Sequence, residues 1–161
     1  MKTKFWIIAC LSLFACVTAA SANSTTIFAI ESGGVFTLTY SQSALRSEFE
    51  TEFGDGTNVD TVYVETFTDS YNVTFHYLVA KGKLDTNSHN MSIQLVGDQN
   101  GNYRTVAVRH TCSGFPCSEC KFTRTDGGGI SGCSCESWCC MCNHSQTGGA
   151  RLGGHGVGSL P

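Results

Sequence analysis

Apolar and polar positions alternate most cleanly between residues 71 and 79, where Tyr71, Val73, Phe75, Tyr77 and Val79 are spaced by Asn72, Thr74 and His76. A period of two is the signature of a β-strand with one face buried. Thr61 to Thr68, Met91 to Val96 and Asn102 to His110 are rich in Val, Ile, Thr and Tyr and read as further strands. The intervening Asp69-Ser70, Gly82 to Asn90 and Gly97 to Gly101 carry turn residues. Upstream, Ile27 to Ile30 and Val35 to Tyr40 flank Glu31-Ser32-Gly33-Gly34, a hairpin pattern. One stretch has a different period. Leu45, Phe49 and Phe53 recur every four residues, with Ser43 placed to cap the start and Gly54 to end the helix. The predicted fold is α+β, in the order β-β-α-β-β-β-β. Strands joined by short turns are antiparallel, so the helix should cover one face of an antiparallel sheet. Its stripe is expected on the face carrying Tyr71, Val73, Phe75, Tyr77 and Val79.

The ends of the chain have other patterns. Met1-Lys2-Thr3-Lys4 precedes the apolar run Phe5 to Val17 and then Ala20-Ser21-Ala22, the layout of a secretory leader with an A-x-A cleavage signal. The run is too short for a comfortable membrane span. Residues 1–22 are therefore expected to be removed before Asn23. Leu13-Phe14-Ala15-Cys16 competes as a loose lipobox that would put a lipid anchor on Cys16. Composition changes once more, near residue 111. Residues 23–111 hold the periodic elements and no cysteine, 112–145 are cysteine-rich, and 146–161 read as a flexible Gly-rich tail. The expected location is extracytoplasmic, secreted or periplasmic, or lipid-anchored at a bacterial envelope. Sequons at Asn23, Asn72, Asn90 and Asn143 matter only in a host that glycosylates.

Charge narrows the partners. After removal of the leader, 8 basic and 13 acidic groups remain. A chain with net charge -5 offers no electrostatic footprint for nucleic acid. There is no Gly-x-Ser-x-Gly, no His-Glu-x-x-His and no phosphate loop. Asp55 to Asp60 and Asp98 to Asn102 have spaced oxygen ligands without the full calcium-loop pattern, so turn chemistry is expected there. An enzyme is not indicated, because nothing pairs a nucleophile with a base.

Chemistry concentrates in Cys112-x4-Cys117-x2-Cys120-x12-Cys133-x-Cys135-x3-Cys139-Cys140-x-Cys142-Asn143-His144. An even set of cysteines behind a leader reads first as a disulfide framework with no cofactor. Only Phe115, Phe122, Ile130, Trp138 and Met141 are sizeable apolar groups there, so cross-links would have to offset the entropy of ordering. The alternative is a metal centre, zinc or copper, with Cys112, Cys117, Cys120, Cys133, Cys135, Cys139, Cys140, Cys142 and His144 as candidate ligands. Cys-x-x-Cys and Cys-x-Cys are ligand spacings, and zinc would order a core-poor segment equally well. Cys112-x4-Cys117-x2-Cys120 also matches the spacing of a plant-type [2Fe–2S] loop, but the leader lacks the twin arginine of folded export. Cys117-Ser118-Glu119-Cys120 lacks the βαβ setting of a thioredoxin-type site.

The blocks Cys112 to Cys120 and Gly132-Cys133-Ser134-Cys135 through Cys142-Asn143-His144-Ser145 resemble the C-terminal cysteine module of uncharacterised secreted bacterial proteins. That resemblance implies export and implies no activity. Two functions are therefore expected in competition. One is a non-enzymatic exported module, stapled by disulfides, that binds or scaffolds a protein or envelope component. The other is a metal-binding protein using the Cys/His cluster.

Overall fold

The computed structural model describes residues 26–136 and 140–148. The leader, Cys16, Cys139 and the tail beyond Gly148 lie outside the described residues. Nine strands and one α-helix follow in the order β1 (Ala29–Ser32), β2 (Val35–Leu38), α1 (Gln42–Phe53), β3 (Asn58–Thr68), β4 (Thr74–Leu84), β5 (Asn87–Gly97), β6 (Asn102–Phe115), β7 (Cys120–Arg124), β8 (Ile130–Cys135) and β9 (Met141–Gly148). All pairings are antiparallel, with β2-β1-β6-β5-β4-β3 in one curved sheet and β7-β8 as a separate hairpin. The mixed α+β character and the β1–β2 hairpin are as expected. Its turn places Gly33 and Gly34 at φ 61° and 82°, the primed-turn geometry that fits strand twist.

Strand β6 is longer than the sequence pattern suggests. It passes residue 111 without a break and continues to Phe115. Its outer edge is shared: Tyr103 and Asn102 pair with Ala29 and Ile30 of β1, while Val108 to Phe115 pair with Gly148 to Met141 of β9. The cysteine segment thus supplies a strand of the main sheet. Gln146, Thr147 and Gly148, expected in the tail, are part of that strand.

The helix is capped by Ser41, whose side chain accepts from the Ala44 amide at 3.2 Å, rather than by Ser43. Gly54 ends it in the left-handed region at φ 67°. Leu45 and Phe49 are buried as expected, but against Val59, Val62, Leu78, Ala80, Met91, Ile93 and Leu95. The expected docking face was the wrong one. On β4 the helix meets Leu78 and Ala80, and Tyr77 and Val79 point to the opposite layer with Ile130 and Phe122. Tyr71 and Val73 belong to neither core: they are 76% and 48% exposed in the β3–β4 turn. A strand covered on both sides reads as a continuous apolar run, and period two then cannot say which side faces the helix.

The opposite layer is the β7–β8 hairpin. Its far end is tied to the β3–β4 turn by Asp69, whose carboxylate accepts from the amides of Tyr71, Val73 and Gly127 at 2.9, 2.9 and 3.0 Å. Those bonds, led by the one from Gly127, hold the Asp69 carboxyl below its ordinary pKa. The Ser70 amide donates to Asp126 at 3.0 Å. Midway, the Arg124 guanidinium lies 3.6 Å from the Tyr77 ring centre and pairs with Glu65. Burial lowers the Arg124 pKa to about 10. The molecule has three layers: helix, sheet, hairpin.

Candidate metal centre

The near end of the hairpin carries the cysteines. Strand β6 presents Cys112, the β6–β7 connection Cys117, the start of β7 Cys120, strand β8 Cys133 and Cys135, and strand β9 Cys142. Register explains the convergence. Cys120 pairs with Cys135 across the hairpin, and Cys142 pairs with Gly114, two residues beyond Cys112 on β6. Cys112, Cys117 and Cys120 are buried, and Cys133, Cys135, Cys140 and Cys142 pack around them.

Two sulfur groups result. The Sγ atoms of Cys117, Cys120, Cys135 and Cys142 all lie within 4.8 Å of one another, and so do those of Cys112, Cys133 and Cys142. Tetrahedral zinc with Zn–S bonds of about 2.3 Å needs sulfurs about 3.8 Å apart, so the first group is compact enough for a four-thiolate site once Cys135 and Cys142 are separate thiols. Cys135 and Cys142 are also at disulfide distance, with Cα atoms 5.9 Å apart.

The Cys117–Cys120 turn is held by polar groups of β5. The Ser88 amide donates to the Cys117 carbonyl at 2.8 Å, and its Oγ accepts from the Cys120 amide at 3.2 Å. Asn90 Nδ2 donates to the Cys120 carbonyl at 2.8 Å, and Asn90 Oδ1 accepts from the Gly82 amide at 3.3 Å. Both residues are buried. Gly114 completes the seat: a Cβ there would overlap Cys117 Cβ and Cys120 Sγ. Sequence reasoning found the cysteines and missed Ser88, Asn90 and Gly114. Ser88 and Asn90 fell in a stretch read as a turn, and the Gly114 requirement comes from the path of the turn that follows it, which folds Cys117 and Cys120 back over its Cα.

Burial pushes the Cys112 thiol strongly upward, reinforced by the neighbouring Cys133 and Cys120 sulfurs. Burial also raises Cys133, although Cys112 and the Ser113 amide oppose it by hydrogen bonding. Such thiols stay protonated until a cation replaces the proton. The Cys140 thiol donates to the Pro116 carbonyl at 2.6 Å.

His144 is placed differently from the cysteines. It sits opposite Cys112 in the β6–β9 register, but its Nε2 lies 3.0 Å from His110 Nδ1. The ring planes differ by 8° with centroids 5.2 Å apart. The separation is close to the N···N distance plus two ring radii, so the imidazoles lie end to end, not face over face. The lone pair in that hydrogen bond is directed at the other ring, away from a shared cation. Burial and then the charge of His144 lower the His110 pKa.

Elsewhere, the spaced acidic loops are turns. Asp55 accepts from the Thr57 amide and hydroxyl at 3.0 and 2.6 Å, and Asp98 from the amides of Asn100 and Asn102 at 2.8 and 3.1 Å. His76 is half-buried between the Phe36 and Tyr103 rings. Among the described residues no helix is long and apolar enough to cross a membrane.

Comparison with protein-family models, curated proteins and solved structures finds no match to this chain.

Proposed function

We propose that the chain is an exported zinc-binding protein in which a thiolate centre locks the β7–β8 hairpin onto the sheet. One observation carries this reading: the four sulfurs of Cys117, Cys120, Cys135 and Cys142 converge within 4.8 Å from three separate parts of the fold. Zinc bound there would contribute folding energy directly, on the order of 10–16 kcal/mol in small structural sites. Two of the ligands would come from the turn held by Ser88 and Asn90, one from β8 and one from β9. Binding starts from the reduced chain, in which Cys135 and Cys142 are thiols.

The test is metal binding by full-length protein reduced with a phosphine under nitrogen. Co(II) should give tetrahedral d–d bands and thiolate charge-transfer absorption that Zn(II) bleaches. Cys117→Ser should weaken them severely. A reduced, folded chain that binds neither ion would overturn the proposal.

A second reading is favoured by the Cys135–Cys142 pair itself: a disulfide-stapled exported module that binds or scaffolds an envelope component. Intact mass separates the two. Fully bridged mature protein would weigh eight hydrogens less than its thiol form and resist alkylation.

A further inference from the structure

We infer that the centre is binuclear: six cysteines hold two zinc ions, with Cys120 and Cys142 as shared ligands. This rests on the metal-binding reading above and adds the number of ions and the role of each sulfur.

The two sulfur groups overlap at Cys142, which lies within 4.8 Å of Cys117, Cys120 and Cys135 on one side and of Cys112 and Cys133 on the other. One sulfur belonging to both groups is what a bridging thiolate requires. Cys120 belongs to the first group alone and must close on the Cys112–Cys133 pair to complete the second tetrahedron. Its Sγ is 3.5 Å from Cys142 Sγ and within hydrogen-bonding reach of Cys112. Two tetrahedra that share an edge place their shared sulfurs about 3.8 Å apart or slightly less. The Cys120–Cys142 separation fits that edge. The first ion then takes Cys117 and Cys135 as terminal ligands, and the second takes Cys112 and Cys133.

A single ion would leave Cys112 and Cys133 against an already charged cluster. Cys112 has no exposure to solvent, so without a second cation it stays there as a neutral thiol. A second cation lets both sulfurs bind as thiolates. Six thiolates and two divalent ions carry net charge -2, and the Ser113 amide donates to Cys133 Sγ to offset part of it. His144, whose Nε2 faces His110, belongs to neither sulfur group and is left out of both ligand sets.

Loading balances simply. The phosphine reduces the Cys135–Cys142 bond to two thiols and leaves as its oxide, taking oxygen from water. Six thiols then lose six protons as two ions bind.

The experiment uses the full chain, reduced under nitrogen and titrated with Zn(II), read by native mass spectrometry. A parallel sample carries ¹¹³Cd(II) for NMR. Two ions per chain are expected, together with two ¹¹³Cd resonances split by mutual coupling through the shared sulfurs. Cys112→Ser should weaken one ion well beyond the roughly 10–100-fold that outer-shell changes cost, while the other stays bound. The double variant Cys139→Ser/Cys140→Ser should keep both ions and the coupling. One ion per chain, or two resonances without coupling, would overturn the binuclear inference while leaving the four-thiolate site standing. No ion in the folded reduced chain would overturn both. The wild-type stoichiometry and coupling decide the matter even if Cys112→Ser fails to fold.

Discussion

Single side chains at the two cores make opposite demands. Phe49 is fully buried beneath the sheet, and Phe49→Ala should cost about 3–5 kcal/mol, read by denaturant unfolding. Gly114 must stay small because the cysteine turn occupies the place of its side chain. Gly114→Val should cost about 1–3 kcal/mol by overpacking and weaken metal binding more than Phe49→Ala does. His89 adds a pH dependence. It is buried against Phe53 and held by Thr57 at 2.8 Å. Burial lowers its pKa, and Asp55 only partly opposes this. The fold therefore favours neutral His89. That contribution is complete above the ordinary histidine pKa of about 6.5 and is lost as pH falls through the lowered folded value. The melting temperature should drop between about pH 7 and pH 5, and His89→Gln should flatten the slope; an unchanged slope would contradict the assignment. The cysteines and the stripe of Leu45, Phe49 and Phe53 were legible in the sequence because their spacing is local. Ser88, Asn90 and Gly114 were not, since their roles depend on a turn some 30 residues away in the chain from Ser88 and Asn90.

At the scale of elements, the helix also closes a sheet edge. Gln42 bonds both backbone groups of Val62, donating to its carbonyl at 2.6 Å and accepting from its amide at 3.1 Å. Glu50 accepts from the Val59 amide at 3.0 Å. These side chains imitate a neighbouring strand and cover the edge of β3. Gln42→Ala removes two bonds, so a loss of about 1–3 kcal/mol is expected, with faster hydrogen exchange at the Val62 amide as the local readout. The sequence pattern located the helix and most strand centres, yet missed which side of β4 the helix covers. Two causes are visible. The run Tyr77-Leu78-Val79-Ala80 is apolar at every position because both faces are covered. In β3 a bulge between Val59 and Thr61 puts Val59 and Val62 on the same side despite their odd spacing.

For the molecule as a whole, the cysteine layer and the sheet share β6 and β9, so their stabilities are linked. Reductant with chelator should lower hydrogen-exchange protection in β7–β9 and in Val108 to Phe115 together, with β3 and β4 kept longest under the helix. Protection lost only in the hairpin would show that β9 holds without the centre. The shared edge of β6 has one more consequence. Strand β9 reaches Val108 with Gly148, and β1 takes up the same edge at Tyr103 with Ala29, running in the same direction. The two are halves of one interrupted strand, and the ends of the described fold face each other across a few residues of β6. A short linker from 148 to 26 should therefore allow the chain to be reopened at the Asp85-Thr86 turn. Such a circular permutant would start with β5 and end with β4, with every strand pair retained.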